Sequence, residues 1–190
     1  MKKCIKTALV LTGVLTAVVL PANVFCANLI ENGGFEKKAS ETLPEGWKLN
    51  TSRNTEAKYA FDAAEKHSGK YSYRISVPPP GGRAVLYIDE AAAGTVIPGN
   101  VYEATFWVKS ENLDYNRFHE APAFRLNYSP ERARPGGIVD LMARLEGKSG
   151  WTQLSVQAPK APQNSNRIYI DFIVTQGTLW IDDIRVRPVE

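Results

Sequence analysis

The sequence predicts an all-β fold, a two-sheet antiparallel β-sandwich of jelly-roll type, placed after an N-terminal signal helix. Three observations carry that expectation. Apolar residues recur at every second position in segment after segment, glycine and proline clusters separate those segments, and no amphipathic helix can be drawn after residue 28.

The N-terminal element comes first. Residues 1–6 carry Lys2, Lys3 and Lys6, and residues 8–20 form an apolar stretch of 13 broken only by Thr and Gly and ended by Pro21. Spanning a bilayer takes about 20 apolar residues. A basic start, a short apolar run and a small-residue exit make residues 1–27 a secretory signal peptide, with residues 28–190 as the mature domain. Cleavage fits before Ala27, and also after Ala27 or Ala22; a retained anchor and lipidation at Cys26 are the weaker readings, the latter because bulky Phe25 precedes the cysteine. The chain is therefore expected to be secreted, extracellular or periplasmic, with no membrane contact after cleavage. Cys4 and Cys26 are the only two cysteines, so the mature domain has neither disulfide nor thiolate metal site.

The strands follow. Tyr71, Tyr73 and Ile75 alternate with Ser72 and Arg74; Ala104, Phe106 and Val108 with Thr105, Trp107 and Lys109. Phe124, Leu126 and Tyr128 alternate with Arg125 and Asn127, and Ile168, Ile170, Phe172 and Val174 with Tyr169, Asp171 and Ile173. Trp180, Ile184 and Val186 lie near the C-terminus, and residues 84–88 form a short apolar run whose facing the pattern leaves open. Such alternation marks strands with one face in a core and one in water. Turn clusters at residues 78–82, 98–100, 135–137 and 147–150 and at Gly177 separate about eight or nine strands. Residues 111–122 are the longest irregular stretch and a candidate binding loop.

Charge narrows the partners. Of the 23 basic residues three sit in the leader, leaving 20 against 20 acidic ones. A neutral body offers no electrostatic footprint for nucleic acid or an anionic membrane.

Six motifs occur in order along the mature chain. Asn28-Leu29-Ile30-Glu31-Asn32-Gly33-Gly34-Phe35-Glu36 opens it, followed by Pro44-Glu45-Gly46-Trp47 and His67-Ser68-Gly69-Lys70-Tyr71-Ser72. Then come residues 102–109 (YEATFWVK), Trp151-Thr152-Gln153-Leu154 and, last, residues 177–184 (GTLWIDDI). This order and spacing resembles the carbohydrate-binding modules of families 4, 9 and 22, which are galactose-binding-like jelly rolls. The resemblance implies that the first and last strands run side by side, bringing Glu36 and Asp182 together with the carbonyls of the Gly34 and Gly69 turns. Two carboxylates and backbone oxygens suit a structural Ca²⁺, with Asp183 as the alternative to Asp182.

The resemblance also implies that a polysaccharide or oligosaccharide lies on the concave face of one sheet. Sugar recognition takes aromatic platforms and planar polar groups, and the mature chain has 4 Trp and 8 Tyr. The residues alternating away from the expected core are Trp107 and Lys109, Arg125 and Asn127, and Tyr169 and Asp171, with Tyr87, whose facing is open, as a further candidate; an ordinary solvated strand face is the plainer explanation for each, with ordinary core packing also for Trp107. Asn50 stands where some glucan binders place an aromatic. If these residues share one face, Tyr169→Ala and Arg125→Ala weaken binding with the melting temperature nearly unchanged. Trp47, Trp151 and Trp180 are expected in the core.

No phosphate loop, zinc-spaced histidine pair or nucleophile elbow is present. Glu103 and Asp171 are a conceivable carboxylate pair, selected by nothing in the spacing. The expected protein is thus a non-enzymatic carbohydrate-binding module, able to work beside a separate carbohydrate-active enzyme. The alternative is a jelly roll serving structure or protein interaction without sugar binding.

Overall fold

Alternation sorts the side chains of this chain into inner and outer sets, and two sheets close over the inner set. The computed structural model describes residues 28–129, 137–148 and 150–189. The expected signal helix lies outside the described residues, and so does most of the expected turn at 135–137.

Among the described residues, ten strands form two antiparallel sheets. The first sheet has the order β1 (Trp47–Thr51), β4 (Ala84–Ile88), β9 (Arg167–Val174), β6 (Ala123–Ser129) and β7 (Gly137–Asp140). The second has β2 (Lys58–Asp62), β3 (Ser72–Val77), β10 (Gly177–Val189), β5 (Val101–Glu111) and β8 (Thr152–Gln157). The expected sandwich is therefore present. β1 and β7 add outer strands that the sequence pattern marks poorly, because each is short and its outward residues carry no apolar alternation.

The core is aromatic at two levels. Phe106 of β5 packs on Phe124 of β6 at 4.3 Å between ring centroids, and Phe172 of β9 meets Phe124 at 4.7 Å. All three side chains come from the expected inward positions. Nearer the start of the chain, Phe35 lies 5.3 Å from both Trp47 and Tyr73. Fully burying an apolar side chain of this size contributes roughly 1.5–3 kcal/mol each.

The opening segment lies along the last strand, as the resemblance implies. Leu29 N donates to Val186 O and Ile184 N donates to Gly33 O, both at 2.9 Å. Gly33 is needed for this approach, since a Cβ there would stand 2.2 Å from Ile184 O. One short helix, α1 (Leu141–Leu145), follows β7; Asp140 caps it by accepting from Ala143 N at 3.1 Å. No described helix is long and apolar enough to cross a membrane.

Candidate functional site

Register in the first sheet builds one transverse row on its outer face. Lys48 pairs with Tyr87, Tyr87 with Asp171, Asp171 with Arg125 and Arg125 with Ile138, one residue from each of five strands. Partners in a strand pair present their side chains on the same side, about 5 Å apart. The next row sets Tyr169 opposite Asn127. Five of the six expected sugar-contacting residues thus share one face: Tyr87, Arg125, Asn127, Tyr169 and Asp171. The open question about Tyr87 is answered by its place in this row, half-buried and 6.3 Å from the ring of Tyr169.

The centre of the face is an ion pair. Arg125 Nε donates to Asp171 Oδ1 at 2.7 Å and Arg125 Nη2 donates to Asp171 Oδ2. The hydrogen bonding of the guanidinium to the Asp171 carboxylate holds Arg125 above its ordinary pKa, with smaller help from Tyr169 and Glu120. The two charges cancel, so the centre of the strip is polar and close to neutral. Lys48, which the sequence pattern did not single out, joins the rim and is tied to Asp89 at 3.1 Å. Asn50 faces outward beside it, opposite Val85.

The 111–122 loop stands at one end of this face. Asn116, only 4% exposed, organises it: Nδ2 donates to Gly82 O at 2.9 Å, while Oδ1 accepts from Phe118 N at 2.9 Å and Glu120 N at 3.1 Å. Arg83 Nε donates to Glu120 Oε1 at 2.9 Å. So anchored, the loop exposes Tyr115 and Phe118.

Trp107 requires a correction. It lies on β5 in the second sheet, opposite Asp182 and Gln153, and so on the far side of the sandwich from Arg125. Its ring stacks on His67 at 3.8 Å with 14° between planes. Lys109, on the same strand, pairs with Glu65 at 2.7 Å. The conceivable Glu103–Asp171 pair fails for the same reason, because the two carboxylates point away from opposite sheets. Of the other tryptophans, Trp47 is core as expected. Trp180 is buried on the outer side of the second sheet, where its Nε1 donates to Asp62 Oδ2 at 3.0 Å, and Trp151 is only half-buried, edge-on to His67.

The four residues expected around a metal do converge. Glu36 Oε1 accepts from Lys70 N at 2.8 Å and Tyr71 N at 3.2 Å, while Asp182 Oδ2 accepts from His67 N at 2.9 Å and Ser68 N at 3.1 Å. Gly69, at φ +59°, leaves room for Glu36: a Cβ there would stand 2.2 Å from Oε1. A Cβ on Gly34 would lie 3.9 Å from Asp182 Oδ1. Burial raises the Asp182 carboxyl above its usual range against the opposing pull of three backbone N–H donors. Among the described residues no three His, Cys, Asp or Glu side chains close on one metal position. Both carboxylates are turned to backbone amides, so any cation would draw on carbonyl oxygens of the Gly34 and Gly69 turns as well. The hard-oxygen donor set and the glycine cradle fit Ca²⁺ in kind.

The choice between Asp182 and Asp183 dissolves into a bulge. The β10–β5 register shifts between Asp182 and Arg185, and Asp183 sits at φ +48°. An inserted residue lets neighbouring side chains reach the same side. Asp183 Oδ2 therefore meets His67 Nδ1 at 2.7 Å, beside the Asp182 contacts.

No family model matches this chain, and no curated protein matches it. Solved structures do. A family 16 carbohydrate-binding module superposes with TM-score 0.57 at 16% identity, over 86% of this chain and 100% of that one. TmCBM61 in complex with β-1,4-galactotriose gives TM-score 0.53 at 17% identity, over 86% and 99%. A Stig cyclase, Fisc, from Fischerella sp. TAU gives TM-score 0.57 at 13% identity, over 86% and 98%. The likeness is one of fold: this chain has a jelly-roll β-sandwich of the kind found in carbohydrate-binding modules and also in a cyclase.

Proposed function

We propose that this chain is an exported, non-catalytic carbohydrate-binding module whose mature part begins near residue 28. It holds a neutral polysaccharide or oligosaccharide across the outer face of the first sheet. The observation that carries this reading is the row Lys48–Tyr87–Asp171–Arg125–Ile138, with Tyr169 and Asn127 alongside. Two tyrosine rings offer platforms to the CH faces of sugars, and the polar groups between them offer hydrogen bonds to hydroxyls. A cancelled central charge favours a neutral ligand. The fold neighbours that are carbohydrate-binding modules, one of them bound to β-1,4-galactotriose, support the same reading.

Glu36 and Asp182, with carbonyls of the Gly34 and Gly69 turns, would hold a structural Ca²⁺ that pins the first segment and the 67–71 turn to β10. The module would act beside a separate carbohydrate-active enzyme.

The test is a glycan array followed by affinity electrophoresis in neutral β-glycans. Retention that Tyr169→Ala removes is the expected result. No retention in any neutral glycan would overturn the reading and leave the protein-interaction alternative.

A further inference from the structure

The second sheet carries a polar recess on its own outer face, on the opposite side of the sandwich from the tyrosine row. A cavity of about 400 Å³ is lined by Glu103, Thr105, Gln153, Leu154, Ser155, Arg185 and Arg187. The residues come from three adjacent strands in register. Thr105 of β5 stands between Arg185 of β10 and Ser155 of β8, and Glu103 stands between Arg187 and Gln157.

The bulge in β10 creates this arrangement. Asp182 faces outward opposite Trp107; a regular strand would then turn Ile184 outward and Arg185 into the core. The extra residue at Asp183 restores the opposite phase, leaving Ile184 1% exposed in the core and Arg185 and Arg187 outside. Bulges commonly re-aim side chains in this way.

The chemistry of the recess is that of an anion site. Arg185 is exposed and has no ion-pair or hydrogen-bond partner among the described residues. Arg187 is held only loosely, 3.4 Å from Glu103 Oε2 with 63% of its side chain exposed. Two guanidiniums against one carboxylate leave a positive excess. Asp182 and Asp183, the nearest other acids on the strand, are occupied by the 67–68 turn. The hydroxyls of Thr105 and Ser155 and the amide of Gln153 add neutral donors at the floor. A guanidinium fork matches a carboxylate or sulfate in a way a single ammonium does not.

We propose that this recess is a second binding site, for a saccharide unit bearing an anionic group, a uronate carboxylate or a sugar sulfate. Arg185 is the principal contact and Arg187 its neighbour. The proposal is independent of the neutral-glycan reading, because the two faces share no side chain.

The test uses isothermal titration of the whole protein with trigalacturonate, its methyl ester and galactose 6-sulfate. Trigalacturonate or galactose 6-sulfate should bind with Kd on the order of 0.1–1 mM, as suits an open site; which of the two binds names the anion. Trigalacturonate methyl ester, lacking the charge, should bind at least tenfold more weakly than trigalacturonate. Arg185→Gln should weaken the anionic ligand at least tenfold, and Tyr169→Ala should leave it unchanged. Arg53→Gln, which removes an exposed arginine elsewhere, should also leave it unchanged. The proposal is overturned if neither anion binds, if Arg185→Gln binds like wild type, or if Arg53→Gln loses as much as Arg185→Gln. Loss of neutral-glycan binding alone would sink only the first face.

Discussion

Arg125 and Asp171 face each other across β6 and β9 as a two-pronged pair, with the Asp171 side chain wholly buried and the Arg125 side chain 31% exposed. The pair is at once the polar centre of the candidate sugar face and a structural clamp. Sequence alone gives it only the first role.

The clamp changes what Arg125→Ala should do. Removing the arginine strands a carboxylate that has no access to water, and breaking a buried pair from one side costs about 3 kcal/mol or somewhat more. The melting temperature should therefore fall by several degrees, contrary to the expectation of an unchanged fold. Arg125→Ala/Asp171→Val should recover most of the loss. Differential scanning calorimetry of the two single variants and the double variant checks this; additive losses would mean that the two residues do not act as a pair.

Tyr169→Ala separates binding from stability better. Removing a half-buried platform of roughly 60 Å² of contact costs about 1.5 kcal/mol of binding, close to tenfold in Kd. Trp107→Ala should do the reverse: neutral-glycan binding stays as it was, while loss of the His67 stack lowers the melting temperature. Affinity electrophoresis and thermal unfolding of both variants, run side by side, distinguish the two roles.

Chelation tests the Ca²⁺ proposal. A bound ion stabilises by RT ln(1 + [L]/Kd), about 2.7 kcal/mol at a hundredfold excess over Kd. EDTA should lower the melting temperature without abolishing the fold, because the aromatic core is independent of the ion. Gly69→Ala would place a Cβ 2.2 Å from Glu36 Oε1 at φ +59°. That variant should unfold at lower temperature than wild type and lose most of its response to EDTA. An EDTA-insensitive wild type with no calcium by mass spectrometry would remove the ion from the account.

Alkali should reveal the buried phenols. Burial, aided by Tyr102, pushes the Tyr128 hydroxyl up to about 12, and its proton is donated to Pro159 O at 2.6 Å. The folded value lies above the unfolded one of about 10. The stability from keeping this phenol neutral is therefore complete below pH 10 and is lost as pH rises through 12. Burial raises Tyr73 as well. Absorbance at 295 nm should show late-titrating tyrosines whose ionisation coincides with unfolding, and Tyr128→Phe should remove one of them.

Much of the fold was legible. Period-2 alternation assigned Phe106, Phe124 and Phe172 to the core side of their strands and Arg125, Asn127, Tyr169 and Asp171 to the outer side, as found, although Asp171 is buried there beneath its neighbours. The ordered motifs placed Gly34, Glu36, Gly69 and Asp182 at one corner, where the structure gathers them. The strands β1 and β7 were less legible, and with them Lys48 and Ile138, since short outer strands need little apolar patterning.

Within a strand, then, the sequence determines which side each residue takes, because the pleat forces alternation locally. It cannot determine which sheet the strand joins. Trp107 and Arg125 lie on consecutive strands and both point outward, yet the chain crosses from the second sheet to the first between them, so they point in opposite directions. That crossing is fixed by hydrogen-bonded pairing with β10 and β8 on one side and β9 and β7 on the other, partners distant along the chain. The phase of β10 is likewise a tertiary outcome. One inserted residue at Asp183, held by its contact with His67, turns both aspartates towards the 67–71 turn and sends Arg185 out of the core.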